Sequence, residues 1–169
     1  MIAAFDLSLT QPGWATATSS GIRSGANVTP KAWGIGGRRL SMLRADLLGT
    51  IVEPCELVVI EDIPMHAKSA GLTAQLHGVV KAAIVDAGIP EPVLVPPATL
   101  KVFATGKGNA DKVQMVVAAR DRLGYAGTND NEADALWLLQ IGLRLAGDDR
   151  AVQLPQTHLR ALERLAAAS

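Results

Sequence analysis

Short apolar runs along the chain predict four β-strands. Two of these runs are rich in β-branched residues, which is typical of strands covered on both faces. The four predicted strands lie at residues 1–8, 14–18, 56–60 and 93–95. A further weak strand or loop is expected at residues 21–30, where glycine and proline interrupt the pattern.

Longer segments carry apolar residues three and four positions apart, which predicts helices. These helices lie at residues 38–52, 69–87, 110–123 and 131–145. We expect Pro54 and Gly88 to end the first two, Asn109 to cap the third, and Thr99 to open a further short helical turn. Strands that come first and then alternate with helices predict an α/β sheet with helices packed on its faces.

The composition is that of a globular domain. The chain has 169 residues, of which 49% are hydrophobic and 19% charged, so one domain with a sizeable core is expected. The single cysteine, Cys55, cannot form an internal disulfide, and no secretion signal is recognisable, which indicates a reducing cytoplasm. The apolar runs are far shorter than the roughly 18 residues of a membrane helix, so no membrane association is expected.

Charge is neutral overall but unevenly distributed. The formal net charge is zero, which by itself does not indicate a nucleic-acid partner. Residues 23–44 nevertheless contain five basic residues and no acid, and residues 101–122 contain five basic residues and two acids. These zones are either solvated helix surface or the basic part of a nucleic-acid interface.

Three acidic residues occupy positions suited to metal-dependent chemistry. Asp6 and Glu61 lie at the ends of predicted strands, and Asp134 lies in the first turns of the last long helix. Ligands bind at the carboxyl ends of strands in α/β sheets, and carboxylates are the ligands that Mg²⁺ prefers. Each acid also has an ordinary interpretation: Asp6 as a loop or capping residue, Glu61 as a partly buried acid with a structural partner, and Asp134 as a complement to the helix dipole.

Five segments in this order resemble the RuvC-type Holliday junction resolvases of the RNase H-like superfamily, particularly their phage-encoded members. The segments are AFDLSLT at residues 4–10, VVIE at 58–61, VPPATLK at 95–101, GKGNADK at 106–112 and DNEADAL at 130–136. The resemblance extends over about residues 1–146. It implies an RNase H-like fold with a mixed central sheet of about five strands and helices on both faces. We accordingly expect a nuclease domain at residues 1–147 and a C-terminal tail, a short helix, at residues 148–169.

The resemblance also implies an activity. Members of this family are metal-dependent homodimers that nick two symmetry-related strands of a four-way DNA junction, which for a phage protein would take place in the host cytoplasm. Asp6, Glu61 and Asp134 match the carboxylate ligands, with Asp6 expected to bridge two Mg²⁺ ions, for which Mn²⁺ is a substitute. Lys101 and Lys112 match the active-site lysines. The expected DNA-binding residues are Lys101, Lys107, Lys112, Arg38 and Arg39.

The sequence departs from the family pattern at two places that bear on function. Asn131 stands where a fourth ligand, Asp or His, is expected, so the fourth ligand is either Asn131 or its neighbour Asp130. The aromatic residue that stacks in the junction is replaced around Pro64 and Met65. Two alternatives therefore stay open: a broader endonuclease for flaps and forks, and a junction-binding protein with weak or no catalysis.

The helix at residues 69–87 builds the dimer in the resembled family. Its apolar positions Leu72, Leu76 and Val80 either belong to such an interface or simply cover the sheet.

Overall fold

The computed structural model describes residues 1–63 and 70–166. Its strands are β1 (Ile2–Asp6), β2 (Gly13–Thr18), β3 (Gly21–Ala26), β4 (Leu57–Glu61) and β5 (Val93–Val95). Its helices are α1 (Gly36–Leu48), α2 (Ala70–Asp86), α3 (Pro97–Thr105), α4 (Lys112–Leu123), α5 (Asp130–Leu145), α6 (Gln156–Leu159) and α7 (Glu163–Ala166), with 3₁₀ turns at Lys31–Trp33 and Arg160–Leu162.

The five strands form one mixed sheet in the order β3-β2-β1-β4-β5. The central strand β1 pairs antiparallel with β2 and parallel with β4, and β4 pairs parallel with β5. The predicted mixed sheet of about five strands is therefore confirmed, and the weak strand at residues 21–30 is β3.

The two faces of the sheet carry different helices because strand side chains alternate between faces. Ile2 and Ala4 of β1 pack with the apolar residues of α3, α4 and α5. Ala3 and Phe5 pack with those of α1 and α2 on the opposite face. All four residues are buried, so β1 lies at the centre of the molecule with a hydrophobic layer on each side.

Two predicted helix starts are wrong. Helix α3 begins at Pro97 rather than Thr99, because proline fits the first helical position, where its missing N–H costs nothing. Helix α4 begins at Lys112 rather than residue 110. Asp111, and not Asn109, caps it, because Asp111 and Gln114 form a reciprocal capping box.

Helix α1 ends before Pro54, its predicted end. Helix α5 begins within one residue of its predicted start. Helix α1 stops at Leu48, well short of Pro54, and the Thr50 hydroxyl donates a hydrogen bond to the Leu47 carbonyl at its end. Helix α5 is capped by Asn129, whose side chain accepts a hydrogen bond from the Glu132 N–H.

Two glycines allow α5 to lie directly on the sheet. A Cβ at Gly142 would lie 2.9 Å from the Ile2 side chain and 3.0 Å from that of Val59, and one at Gly13 would lie 2.0 Å from the Asn131 carbonyl oxygen. The start of α5 is therefore pressed against the beginning of β2, and its later part against the beginning of β1. Helix α5 thus runs antiparallel to β1.

The C-terminal segment packs on α3. His158 is buried, and its Nδ1 lies 2.8 Å from the Phe103 carbonyl oxygen, to which it donates a hydrogen bond. Leu162 joins the same apolar cluster as Phe103. Within the described residues, no helix is both long and apolar enough to cross a membrane.

Candidate active site

The three predicted carboxylates converge between β1, β4 and α5. Phe5 of β1 pairs with Ile60 of β4, so Asp6 and Glu61 are the next residues on two neighbouring parallel strands, with side chains on the α5 face. Asp134 precedes Gly142 by eight helical residues, a rise of about 12 Å, and Asp6 follows Ile2 by four strand residues, about 13 Å. Because Gly142 packs on Ile2 in an antiparallel arrangement, Asp134 is brought opposite Asp6.

Asp6 and Glu61 lie close enough for each carboxyl group to affect the pKa of the other. Burial is the main cause that raises the pKa of Glu61 to about 9, followed by the charges of Asp6 and Asp134. Burial likewise raises the pKa of Asp6 to about 6.

Asp134 completes a cluster of like charges. Its pKa is raised to about 7, first by burial and then by the charges of Asp6 and Asp130. Its Oδ1 atom is buried without a hydrogen-bond partner. A buried acceptor without a donor costs about 1 to 3 kcal/mol, so this position favours a ligand that supplies positive charge.

The donor set fits a divalent cation. Among residues 1–63 and 70–166, no three His, Cys, Asp or Glu side chains already stand close enough together to hold a metal ion. Three neighbouring carboxyl groups that supply only oxygen atoms are nevertheless the chemistry that Mg²⁺ and Mn²⁺ bind. The unpartnered Asp134 oxygen is the observation that supports this fit.

Two predicted lysines lie within electrostatic reach of the carboxylates. Lys112 forms an ion pair with Asp130, and its charge lowers the pKa of both Asp6 and Asp134. The charge of Lys101 lowers the pKa of Glu61 and Asp134. Helices α3 and α4 therefore direct one positive charge each towards the acidic cluster.

The two candidates for a fourth ligand are already engaged. The Asn131 side-chain amide donates a hydrogen bond of 2.6 Å to the Gln11 carbonyl and thereby fastens α5 to the β1–β2 loop. Asp130 is held by Lys112, which is the largest cause that lowers its pKa. Because Asp130 also raises the pKa of Asp6 and Asp134, it lies close to the site.

The remaining predicted DNA-binding residues lie in three different settings. The Arg39 guanidinium donates hydrogen bonds to the carbonyls of Leu9 and Gly34, so it holds two loops together. Arg38, the preceding residue on α1, is exposed. Lys107 is exposed in the loop between α3 and α4. Pro64 and Met65 lie outside the described residues.

Sequence reasoning did not foresee the contacts of Glu132, which stands between Asp130 and Asp134. Its Oε1 accepts a hydrogen bond from Ser24 and its Oε2 accepts one from the Tyr125 hydroxyl, at 2.8 and 3.0 Å. Glu132 therefore faces β3 rather than the carboxylate cluster. Its helical position, about 200° around the axis from Asp134, is the signal that separates the two acids.

No family model matches the chain. Among curated proteins, the chain is 35% identical over 103 residues to the crossover junction endodeoxyribonuclease RuvC of Anaeromyxobacter sp. (strain K), a match that covers 54% of this chain and 55% of that protein. The match thus spans about half the length of the curated relative.

Two solved structures have the same fold. A Thermus thermophilus RuvC structure is 21% identical with a TM-score of 0.66, and the match covers 90% of this chain and 98% of that one. The structure of T. thermophilus RuvC in complex with Holliday junction substrate is 20% identical, also with a TM-score of 0.66, and the match covers 90% and 97%. The predicted RNase H-like fold and the resemblance to RuvC are therefore confirmed.

Proposed function

We propose that this chain is a divalent-metal-dependent endonuclease that resolves Holliday junctions by paired, symmetric nicks. The observation that carries the proposal is the convergence of Asp6, Glu61 and Asp134 between β1, β4 and α5. The sequence match to a crossover junction endodeoxyribonuclease supports the choice of substrate.

Asp6, Glu61 and Asp134 would hold the metal, either Mg²⁺ or Mn²⁺, with two ions in each site. When bound, such ions activate the attacking water and stabilise the leaving oxygen of a phosphodiester. The carboxyl groups bind a cation only when deprotonated, and the raised pKa of Glu61 means that metal binding would compete with protons there.

The basic residues contribute to this proposal in different ways. Lys101 and Lys112 bring positive charge to the place where negative charge develops on the scissile phosphate. Lys112 already neutralises Asp130, and this pair keeps a fourth acid from adding its full charge to the cluster. Lys107 and Arg38, both exposed, bind backbone phosphates, whereas Arg39 positions the loop after β1.

A homodimer would present two such sites to a two-fold junction. Leu76 and Val80 are buried against the sheet, so they do not form its interface. The opposite face of α2 carries small and apolar residues that are exposed, at Gly71, Ala74, Gly78, Ala82 and Val85. A helix that is apolar on both faces is normally covered on both, and a second copy of α2 would cover the outer one.

The proposal is tested by nicking of a mobile four-way junction in Mg²⁺. The Asp6→Asn variant should bind the junction as wild type does and cut it at least about 10³-fold more slowly. The change removes one of the three carboxylates that would hold the metal ions. Full cutting by this variant would overturn the proposal. Binding without any cutting by wild type would favour a non-catalytic junction-binding protein.

The same assay decides between a dedicated resolvase and a broader enzyme for branched DNA. Nicking rates are compared on the four-way junction, a flap and a fork. A resolvase cuts the junction fastest and nicks opposite strands at symmetric positions. Equal rates on the three substrates would assign the broader activity.

A further inference from the structure

The loop between β3 and α1 presents the apolar side chain of Ile35 to solvent. Ile35 is 89% exposed, the highest value among the large hydrophobic residues described. It stands between Gly34 and Gly36, whose φ angles of +73° and +62° belong to the left-handed region that favours glycine. A Cβ at either glycine would meet nothing within 4 Å, so the chain around Ile35 projects away from the rest of the fold.

The base of this loop is fixed rather than loose. The Arg39 guanidinium donates to the Gly34 carbonyl at 3.2 Å and to the Leu9 carbonyl at 2.7 and 3.1 Å. The Thr29 N–H donates to the Thr10 carbonyl at 2.8 Å. The loop therefore leaves the body of the protein from two anchored points.

These anchors place the loop at the carboxylate end of the sheet. Leu9 follows Asp6 by only three residues, which span at most about 11 Å. Since Arg39 binds Leu9 directly, the base of the loop lies beside the place where the chain leaves the active-site strand.

The chain on either side of Ile35 is basic. Lys31 and Arg38, on either side of it in the chain, are exposed, and residues 23–44 contain no acid. Val28, which is 72% exposed, adds a second apolar side chain to the same segment. This combination favours a polyanion with accessible apolar surface, because one isoleucine between glycines offers far less apolar area than a stable protein interface needs.

We propose that residues 28–38 form a wedge for branched DNA, in which Ile35 contacts unstacked bases at the branch point and Lys31 and Arg38 contact the flanking phosphates. Apolar side chains that enter a base step offset the cost of unstacking, which is lowest where pairing is already interrupted. The wedge would thus recognise the branch without reading sequence. This inference rests on the proposed junction-cutting function.

The test compares Ile35→Ser with a matched control, Val52→Ser. Val52 is 64% exposed and lies next to Glu53, which binds Ser19 in the β2–β3 turn at the other end of the sheet. Fluorescence of 2-aminopurine placed at the branch of a four-way junction reports unstacking in EDTA, where no cutting occurs. Dissociation constants for the junction and for a duplex of equal length are measured in the same buffer.

We expect wild type and Val52→Ser to raise the fluorescence equally, and Ile35→Ser to raise it at least about fivefold less. The preference for junction over duplex should fall about tenfold in Ile35→Ser, which equals about 1.4 kcal/mol. Equal fluorescence for both variants, or an equal loss of junction and duplex affinity in Ile35→Ser, would overturn the wedge while leaving the proposed nuclease intact. Failure of wild type to bind or cut junctions would instead overturn the proposed function.

Discussion

The three carboxyl groups of the candidate active site have pKa values that a bound cation would lower. Asp6, Glu61 and Asp134 all have raised pKa values, and burial is the largest cause for each. Burial of charge without a partner is costly, and here the charges of Lys101 and Lys112, on neighbouring helices, offset part of that cost. This site resembles one prepared for metal more than one built for stability.

Stability of the metal-free protein should fall as pH rises. A carboxyl group whose pKa is higher in the folded state than in the unfolded state stabilises the fold below its unfolded pKa, near 4, and loses that contribution as pH rises through its folded value. The folded values of about 6, 7 and 9 place this loss between about pH 4 and 9. Urea denaturation in EDTA should show a decrease of at least about 1.4 kcal/mol from pH 5 to pH 8, the equivalent of one pKa unit.

Mg²⁺ at pH 8 should restore this stability, since it binds the folded carboxylates and not the unfolded chain. The Glu61→Gln variant provides the control, because it removes the acid with the highest pKa and should show a smaller decrease with pH. A stability that is the same at pH 5 and pH 8 in EDTA, or that Mg²⁺ leaves unchanged, would contradict this account.

Individual residues were predictable where their signal is local. Asp6 and Glu61 each end an apolar strand, so their placement at one edge of the sheet follows from the sequence. The contact of Asn131 does not, because it joins the Gln11 carbonyl, 120 residues earlier in the chain. Asn131 was one of the two candidates for the fourth metal ligand, and its side-chain amide holds the β1–β2 loop. This contact depends on the tertiary fold and could not be predicted from the local sequence.

At the scale of the elements, the regular interiors of helices and strands were predictable and their ends were less so. The apolar repeats of α2 and α5 continue over several turns and identify those helices. The start of α4 was missed because Asn109 and Asp111 are both good capping residues, and the choice depends on the Gln114 side chain that completes the capping box. The projection of Ile35 was not predicted either, because it requires the glycine φ angles and not merely the glycines.

Helix α3, which carries Lys101, depends on the C-terminal segment for its last turn. The carbonyl of Phe103 is near the C-terminal end of α3, where helix carbonyls lack partners within the helix, and it accepts its hydrogen bond from His158. His158→Leu should therefore destabilise the protein by about 1 to 3 kcal/mol in urea denaturation, since it leaves this carbonyl unpaired.

His158→Asn is the matched control for that change, because an asparagine amide can place a nitrogen donor where the Nδ1 atom was. It should recover a large part of the lost stability. Equal instability of the two variants would contradict this account. It would show that α3 is stabilised by packing of the imidazole ring and not by its hydrogen bond.

At the scale of the whole molecule, the exposed face of α2 is the feature that bears on assembly. Gly78 is exposed, and a Cβ there would meet nothing within 4 Å of the same chain. Gly78→Glu should accordingly leave the fold intact or stabilise it by about 0.5 to 1 kcal/mol, since glycine is unfavourable inside a helix. In a dimer that pairs α2 with its copy, the same charge would be buried without a partner.

Sedimentation of this variant should therefore show a monomer with the unfolding stability of a folded chain, whereas wild type should sediment as the proposed dimer. Lys81→Glu on the same helix, beside the exposed face, controls for the added charge. A dimer that survives Gly78→Glu would place the subunit interface on another surface.

The central position of β1 determines when, during synthesis, the candidate active site can form. Ile2–Asp6 leave the ribosome long before α5, Asp130–Leu145, which covers one of their faces. Closing so long a loop is slow, and the contacts that reward it become available only after α5 has been synthesised. A nascent chain consequently carries Asp6 without Asp134 until α5 has been synthesised, so the proposed cutting site cannot form on a chain that stops before α5.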